Sequence, residues 1–238
     1  MTTVQPASLG SRHHIYDPLV WERAPGTDFW LFAANRVAAA ATFPDDLADY
    51  GWVTTSVLFT AGVGADFISS ADVGTPRTLG TNAASDILQS PVIFGDYPHA
   101  RMAQTFLGYL PTKLIAEFYA YFDVASANET ATAIGFVEDE GSPITAAGAD
   151  ALAMVYSDGT NFKLESGAGA SAAGAAVDNA AHLWKIVVDA TNCTCTMDGG
   201  NSISVATETD QFPVSFGLGT VAAGTNRIQL SWLHIYYE

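Results

Sequence analysis

The sequence predicts an all-β protein, an antiparallel two-sheet sandwich, on three observations. Short runs alternate apolar and polar residues, Gly and Asp punctuate the joints between them, and no long helical period follows residue 50. With 238 residues, 49% of them hydrophobic, the chain can bury a full-sized core. Lys and Arg number 9 against 25 Asp and Glu, a formal net charge of -16. Such a surface repels a phosphate backbone, so nucleic acid is not an expected partner, and its plainest role is to keep the surface from sticking nonspecifically.

Residues 1–50 read as an irregular N-terminal arm. The stretch "SRHHIYDPLVWERAPGTDFWLF" mixes aromatics with Pro and Gly at no steady period, and "ANRVAAAATFPDDLADYGW" holds one short Ala-rich helical stretch halted by Pro44. Tyr16, Trp21, Phe29, Trp30 and Phe32 are the candidate assembly residues, since they must pack on the main domain or on a neighbouring subunit. The N-terminus lacks a basic region followed by an apolar one, and no run reaches the ~18 apolar residues of a membrane span. The expectation is a chain made in the cytoplasm, with no membrane partner.

From Gly51 to the C-terminus the pattern is that of the sandwich, best supported over 90–238. "WVTTSVLF" offers a first strand, and the polar passage to about residue 90 fits either the sandwich or an insertion. "KLIAEFYAYFDVA", 113–125, alternates most clearly: Ala116, Phe118, Ala120, Phe122 and Val124 share one face, and Ile115, Glu117, Tyr119, Tyr121 and Asp123 the other. The first face is core. The second is amphipathic and aromatic, which suits a covered sheet or a surface that meets a ligand, and Glu117, Tyr119, Tyr121 and Asp123 form a candidate glycan face. Strands follow at "TAIGFVE", "ALAMVYS", "NFKLES", "HLWKIVVD", "TCTM", "SISVAT", "PVSFGLG" and "RIQLSWLHIYY". Asp158-Gly159 and Asp198-Gly199 mark hairpins, because tight turns need residues that tolerate positive φ. Trp184 begins a strand whose next alternate positions are apolar, so it is expected in the core rather than as a sugar platform. The low-complexity "SGAGASAAGAAVDNAA", 166–181, reads as a flexible connection or an edge loop, and its glycines lack the Gly-Lys-Ser/Thr of a phosphate loop.

Reactive side chains announce little. Cys193 and Cys195 lie two apart on one strand, about 6.5–7 Å, at or beyond the reach of an unstrained disulfide, so two reduced thiols are expected. No cofactor or metal is expected. The acceptor patterns at Asn128 and Asn192 have no secretory signal to give them meaning. His13, His14, His99, His182 and His234 form no metal-binding run, and no Gly-x-Ser-x-Gly elbow announces a nucleophile. Glu138-Asp139-Glu140 reads as a solvated turn ahead of a catalytic pair or a weak Ca²⁺ site. Glu117 and Asp123, about 20 Å apart along one strand, are too distant to share one glycosidic bond.

The features from about residue 90 onward resemble the concanavalin A-like lectin/glucanase jelly roll, particularly its laminin-G-like members, of the kind found in tailed-phage virion structural proteins. The carrying residues are "LPTKLIAEFYAYFDVA", the "YSDGTNFKLE" hairpin, "HLWKIVVD", "CTCTMDGGNSISVAT", "FPVSFGLGT" and "NRIQLSWLHIYY". The resemblance implies a jelly-roll sandwich. It also implies that a glucanase would carry a Glu-x-Asp-x-x-Glu strand, which this sequence does not contain. The expectation is therefore a protein that is not an enzyme: a virion structural protein, most simply a phage capsid decoration or auxiliary surface protein. It would form homo-oligomers and contact other virion proteins such as the major capsid protein. The alternative is a carbohydrate-binding, lectin-like module with a glycan as ligand.

Overall fold

Alternating sequence runs joined by Asp-Gly turns pair with their neighbours, and the result is two stacked antiparallel sheets. The computed structural model describes residues 20–24, 28–32, 53–55, 58–61, 77–80, 86–90, 94–97, 112–122, 132–138, 151–178, 180–208, 212–220 and 228–238. In chain order the strands are β1 (Val20–Ala24), β2 (Asp28–Phe32), β3 (Val53–Thr55), β4 (Leu58–Ala61), β5 (Arg77–Gly80), β6 (Asp86–Gln89), β7 (Phe94–Tyr97), β8 (Leu114–Phe122) and β9 (Thr132–Glu138). They continue with β10 (Ala151–Ser157), β11 (Phe162–Ser166), β12 (Gly169–Ala170), β13 (Ala181–Val188), β14 (Asn192–Met197), β15 (Asn201–Ala206), β16 (Phe212–Thr220) and β17 (Ile228–Tyr237). One sheet runs β1-β2-β17-β8-β13-β14-β15 with β5 and β4 attached through β17, and the other runs β12-β11-β10-β9-β16-β6-β3 with β7 beside β16. The described residues are all-β and form an antiparallel sandwich, as the alternation predicts.

The segment expected to be irregular contains a hairpin. β1 pairs with β2, setting Trp21 opposite Trp30, and β2 pairs with β17, setting Trp30 opposite His234 and Phe32 opposite Trp232. Of the candidate assembly residues, Trp21, Phe29, Trp30 and Phe32 thus lie on strands of the first sheet, while Tyr16 lies outside the described residues. Strands from 51–90 enter both sheets: β3 and β6 join the second through β16, and β5 joins the first through β17.

The core fills the space between the sheets. Ala116, Phe118, Ala120 and Phe122 on β8 are all buried, as their shared face predicts, and small Ala leaves room for the rings around it. Phe118 meets Phe216 edge-on at 5.8 Å, Phe122 meets Trp184 at 5.3 Å, and Phe162 meets Trp184 at 4.7 Å. These tilted contacts align ring edges with ring faces. Trp184 is a core residue, 1% exposed, and its indole N–H donates to the Ala120 carbonyl at 3.3 Å. Cys193 and Cys195 are free and buried on the same inner face.

The two sheets differ in what they bury. β10 is buried at every position, and Ala133, Val137, Ala151, Met154 and Tyr156 form a second apolar cluster, so β9 and β10 of the second sheet are covered on both sides. The outer face of the first sheet is half exposed along β13, β8 and β17. Among the described residues, that face is therefore the one with polar and aromatic side chains open to a ligand.

The low-complexity stretch is an edge, held in place. Ser171 N–H donates to the Leu164 carbonyl at 2.7 Å, Gly174 N–H to Phe162 at 2.9 Å and Val177 N–H to Thr160 at 3.0 Å, while Phe162 N–H donates to Ala175 at 2.9 Å. Residues 171–178 therefore form a strap along β11. At Gly174 the small residue has a steric cause: a Cβ there would stand 2.9 Å from Ile203 Cγ2 and 3.0 Å from the Phe162 carbonyl oxygen.

Candidate functional site

Register builds the site. Residues directly opposite in adjacent strands share a face about 4.5–5.5 Å apart. β8 lies between β17 and β13, with Glu117 opposite both His234 and Lys185, Tyr119 opposite both Trp232 and Leu183, and Ile115 opposite both Tyr236 and Val187. Three strands far apart in sequence thus bring one acid, one base and several rings together on the half-exposed outer face.

Lys185 Nζ donates to Glu117 Oε1 at 2.8 Å and to the Tyr236 hydroxyl at 3.3 Å, and that hydroxyl donates to the same Glu117 Oε1 at 3.0 Å. The Lys185 ammonium also stands 5.9 Å from the centre of the Tyr236 ring, and Tyr236 stacks on His234 at 4.4 Å. Partial burial pushes the Glu117 carboxyl upward. Hydrogen bonds from Lys185 and Tyr236, with the Lys185 and His234 charges, outweigh it and hold the pKa below the ordinary value. For Lys185 the bond to Glu117 is the main effect and raises its pKa against desolvation. Burial, foremost, raises the Tyr236 phenol. At neutral pH the group is a carboxylate acceptor, an ammonium donor and a neutral phenol. Both bonds to Glu117 end on Oε1, which leaves Oε2 to accept from an incoming hydroxyl.

The structure assembles half of the expected glycan face. Glu117 is in the cluster and Tyr119 lies beside it, partly exposed. Tyr121 is 6% exposed and packs in a small cluster with Ala181 and Tyr119, so it offers little platform; Asp123 lies outside the described residues. Sequence reasoning missed Lys185, His234 and Tyr236. Lys185 alternates visibly with Trp184, and His234 and Tyr236 alternate in "LHIYY", but only the pairing of β8 with both β13 and β17 unites them.

A second polar constellation lies at the end of β13. His182, 8% exposed, is held at both ring nitrogens: Nδ1 is 2.6 Å from Asp198 Oδ2 and Nε2 is 2.9 Å from Asp178 Oδ1. With both nitrogens on carboxylates, no position remains for a serine hydroxyl, so a Ser-His-Asp triad is not built on His182. Of Glu138-Asp139-Glu140, Glu138 ends β9 and the other two lie outside the described residues. Among the described residues, no group of three or more His, Cys, Asp and Glu side chains is arranged to hold a metal ion.

No family model and no curated protein matches the chain. Solved structures do. A conserved carbohydrate esterase from the Shiga toxin-encoding bacteriophage phi24B matches at 13% identity with a TM-score of 0.52, covering 89% of this chain and 97% of that one. A Trypanosoma rangeli sialidase in complex with the inhibitor DANA matches at 14% identity and a TM-score of 0.45, and the chain spans 30% of its length. The SPRY domain of human HERC1 matches at 8% identity and a TM-score of 0.40. The first likeness shows a shared fold over nearly the whole of both chains. It also corrects one expectation: the fold that was read as non-enzymatic is that of a protein described as a carbohydrate esterase, so a missing sequence motif does not make this chain a non-enzyme.

Proposed function

We propose that the chain is a carbohydrate-directed phage protein that engages sugar through the outer face of the first sheet. The observation that carries this is the Glu117–Lys185–Tyr236 cluster. An acceptor and two donors lie within 3.3 Å of one another on a half-exposed face, with Tyr119 and the Tyr236–His234 ring pair alongside. Sugars present vicinal hydroxyls, each donor and acceptor at once, above apolar ring faces; fixed polar atoms beside aromatics answer both needs. The fold shared with a bacteriophage carbohydrate esterase supports a carbohydrate substrate or ligand and a phage source. We read the sandwich as a concanavalin A-like jelly roll, on the strand layout of the sequence. We also place the chain on the virion, as an auxiliary surface protein in contact with other virion proteins and as a homo-oligomer. Its charge of -16 favours an exterior position away from packaged DNA.

The test is a broad glycan panel read for both binding and turnover, including release of ester groups and cleavage of glycosidic bonds. We expect a glycan whose affinity falls about tenfold or more in Glu117→Gln and in Tyr236→Phe, the scale of one lost charge-assisted hydrogen bond. A wild-type protein that neither binds nor alters any glycan sinks the reading. Native mass in solution tests the oligomer, and a monomer at all concentrations removes self-association.

A further inference from the structure

We propose that His182 is a proton-operated latch that holds the 171–178 strap against the sandwich and releases it as pH rises. The strap carries Asp178, and the turn between β14 and β15 carries Asp198. Their carboxylates take the two ring nitrogens of one imidazole. Both contacts contain a hydrogen only when both nitrogens are protonated, that is, when the ring is an imidazolium. A neutral ring keeps one N–H and turns a lone pair toward the other carboxylate, so one contact must give.

The geometry decides which. Asp198 is anchored by its second oxygen, Oδ1, which accepts Leu183 N–H from the neighbouring strand β13 at 2.9 Å. Asp178 has only a local bond besides the latch, accepting Ala180 N–H at 3.0 Å within its own segment. Loss of the proton therefore frees Asp178, and the strap loosens from that end. Among the described residues, the elements packed on the ring add no competing charge. Phe162 from β11 lies 6.4 Å away and Trp184 from β13 lies 6.0 Å away, both edge-on, so among the described residues the charged groups facing His182 are Asp178 and Asp198.

The ionisation equilibrium agrees in sign. Burial lowers the His182 pKa, but hydrogen bonds to Asp178 and Asp198 and their charges outweigh it and raise it above the ordinary 6.5. The latch is closed below that raised value and opens as pH passes upward through it. What it guards is the strap's inner side, where Gly174 and Ala175 roof a recess of ≈ 10 Å³ above Phe162, Trp184, Met197 and Ile203. That is room for about one water molecule when closed.

Three strap amides report the motion: Val177, Gly174 and Ser171, each bonded to a different carbonyl along 160–164. Amide exchange, corrected for intrinsic base catalysis, should accelerate on the order of tenfold at Val177 between about pH 6 and pH 9, less at Gly174, and least at Ser171. His182→Gln, uncharged at every pH, and Asp178→Asn, which keeps a local acceptor for Ala180 N–H, should each remove the step. If either variant misfolds, NMR titration of the wild-type His182 ring supplies the second measurement, and its midpoint should coincide with that of the Val177 step. Exchange that ignores pH in the wild type, a step that survives in both folded variants, or midpoints that differ overturn the latch.

Discussion

Trp184 shows how much a single buried side chain carries: it touches Phe118, Phe122, Phe162 and His182, and its polar atom is satisfied. Trp184→Ala should lose about 3–5 kcal/mol in urea unfolding, the usual cost of removing a large buried ring. Ser215 is the converse case. It is fully buried and its hydroxyl has no hydrogen-bond partner among the described residues, so Ser215→Ala should be neutral or stabilising by up to about 1 kcal/mol in the same measurement. The thiols give a chemical readout. Burial pushes the Cys193 thiol up to about 12 and the Cys195 thiol up as well, so the reactive thiolate is scarce. Neither should react with a thiol reagent at mildly alkaline pH in the native protein, and both should react in denaturant; rapid native labelling would refute their burial.

At the scale of elements, the turn between β14 and β15 does more than reverse the chain. Asp198 adopts φ 51° and Gly199 φ 71°, the left-handed pair at the centre of the tight turn that Gly200 N–H closes on the Met197 carbonyl at 3.1 Å. The Asp198 side chain then caps Leu183 N–H and holds His182. Asp198→Ala should cost about 1–3 kcal/mol, because it strains the turn and leaves two donors without a partner. Asp198→Asn keeps the turn and the cap and should recover part of that loss. Gly135, at the centre of β9 with φ 151°, lies so close to the Ala153 carbonyl oxygen that a Cβ would collide with it. Gly135→Ala should therefore shift β9 against β10 and cost about 3 kcal/mol or more, visible as a lower thermal midpoint.

For the whole molecule, stability depends on pH with opposite signs on the two sides. Glu117, Asp158, Asp178 and Asp189 have pKa values lowered in the folded state, so their contribution is present above the ordinary carboxylate range and is lost as pH falls through the folded values. His182 has a raised pKa, so its contribution is full below 6.5 and is lost as pH climbs through the higher folded value. Stability to urea should peak between about pH 5 and pH 6.5 and fall on both sides. In His182→Gln the alkaline limb should flatten while the acid limb persists. A net charge of -16 adds self-repulsion, so moderate salt should raise the midpoint at neutral pH.

Sequence alone determined the all-β class, the inner face of β8, the burial of Trp184, the reduced cysteines and the positive-φ turn at Asp198-Gly199. Each of these is written in local pattern: a period of two along a strand, or a residue type that a turn demands. The grouping of Glu117 with Lys185 and Tyr236 was decided by tertiary structure, because 68 and 119 positions separate Glu117 from its partners and only strand order brings them together. The same holds for the strap. Its small residues look unstructured in sequence, yet Gly174 fits where Ile203 and the Phe162 carbonyl leave space for no side chain, and Asp178 meets a histidine that another strand carries. A period of two tells a residue which side of its own strand it faces. Which strand lies beside it is settled by the burial of all the faces at once.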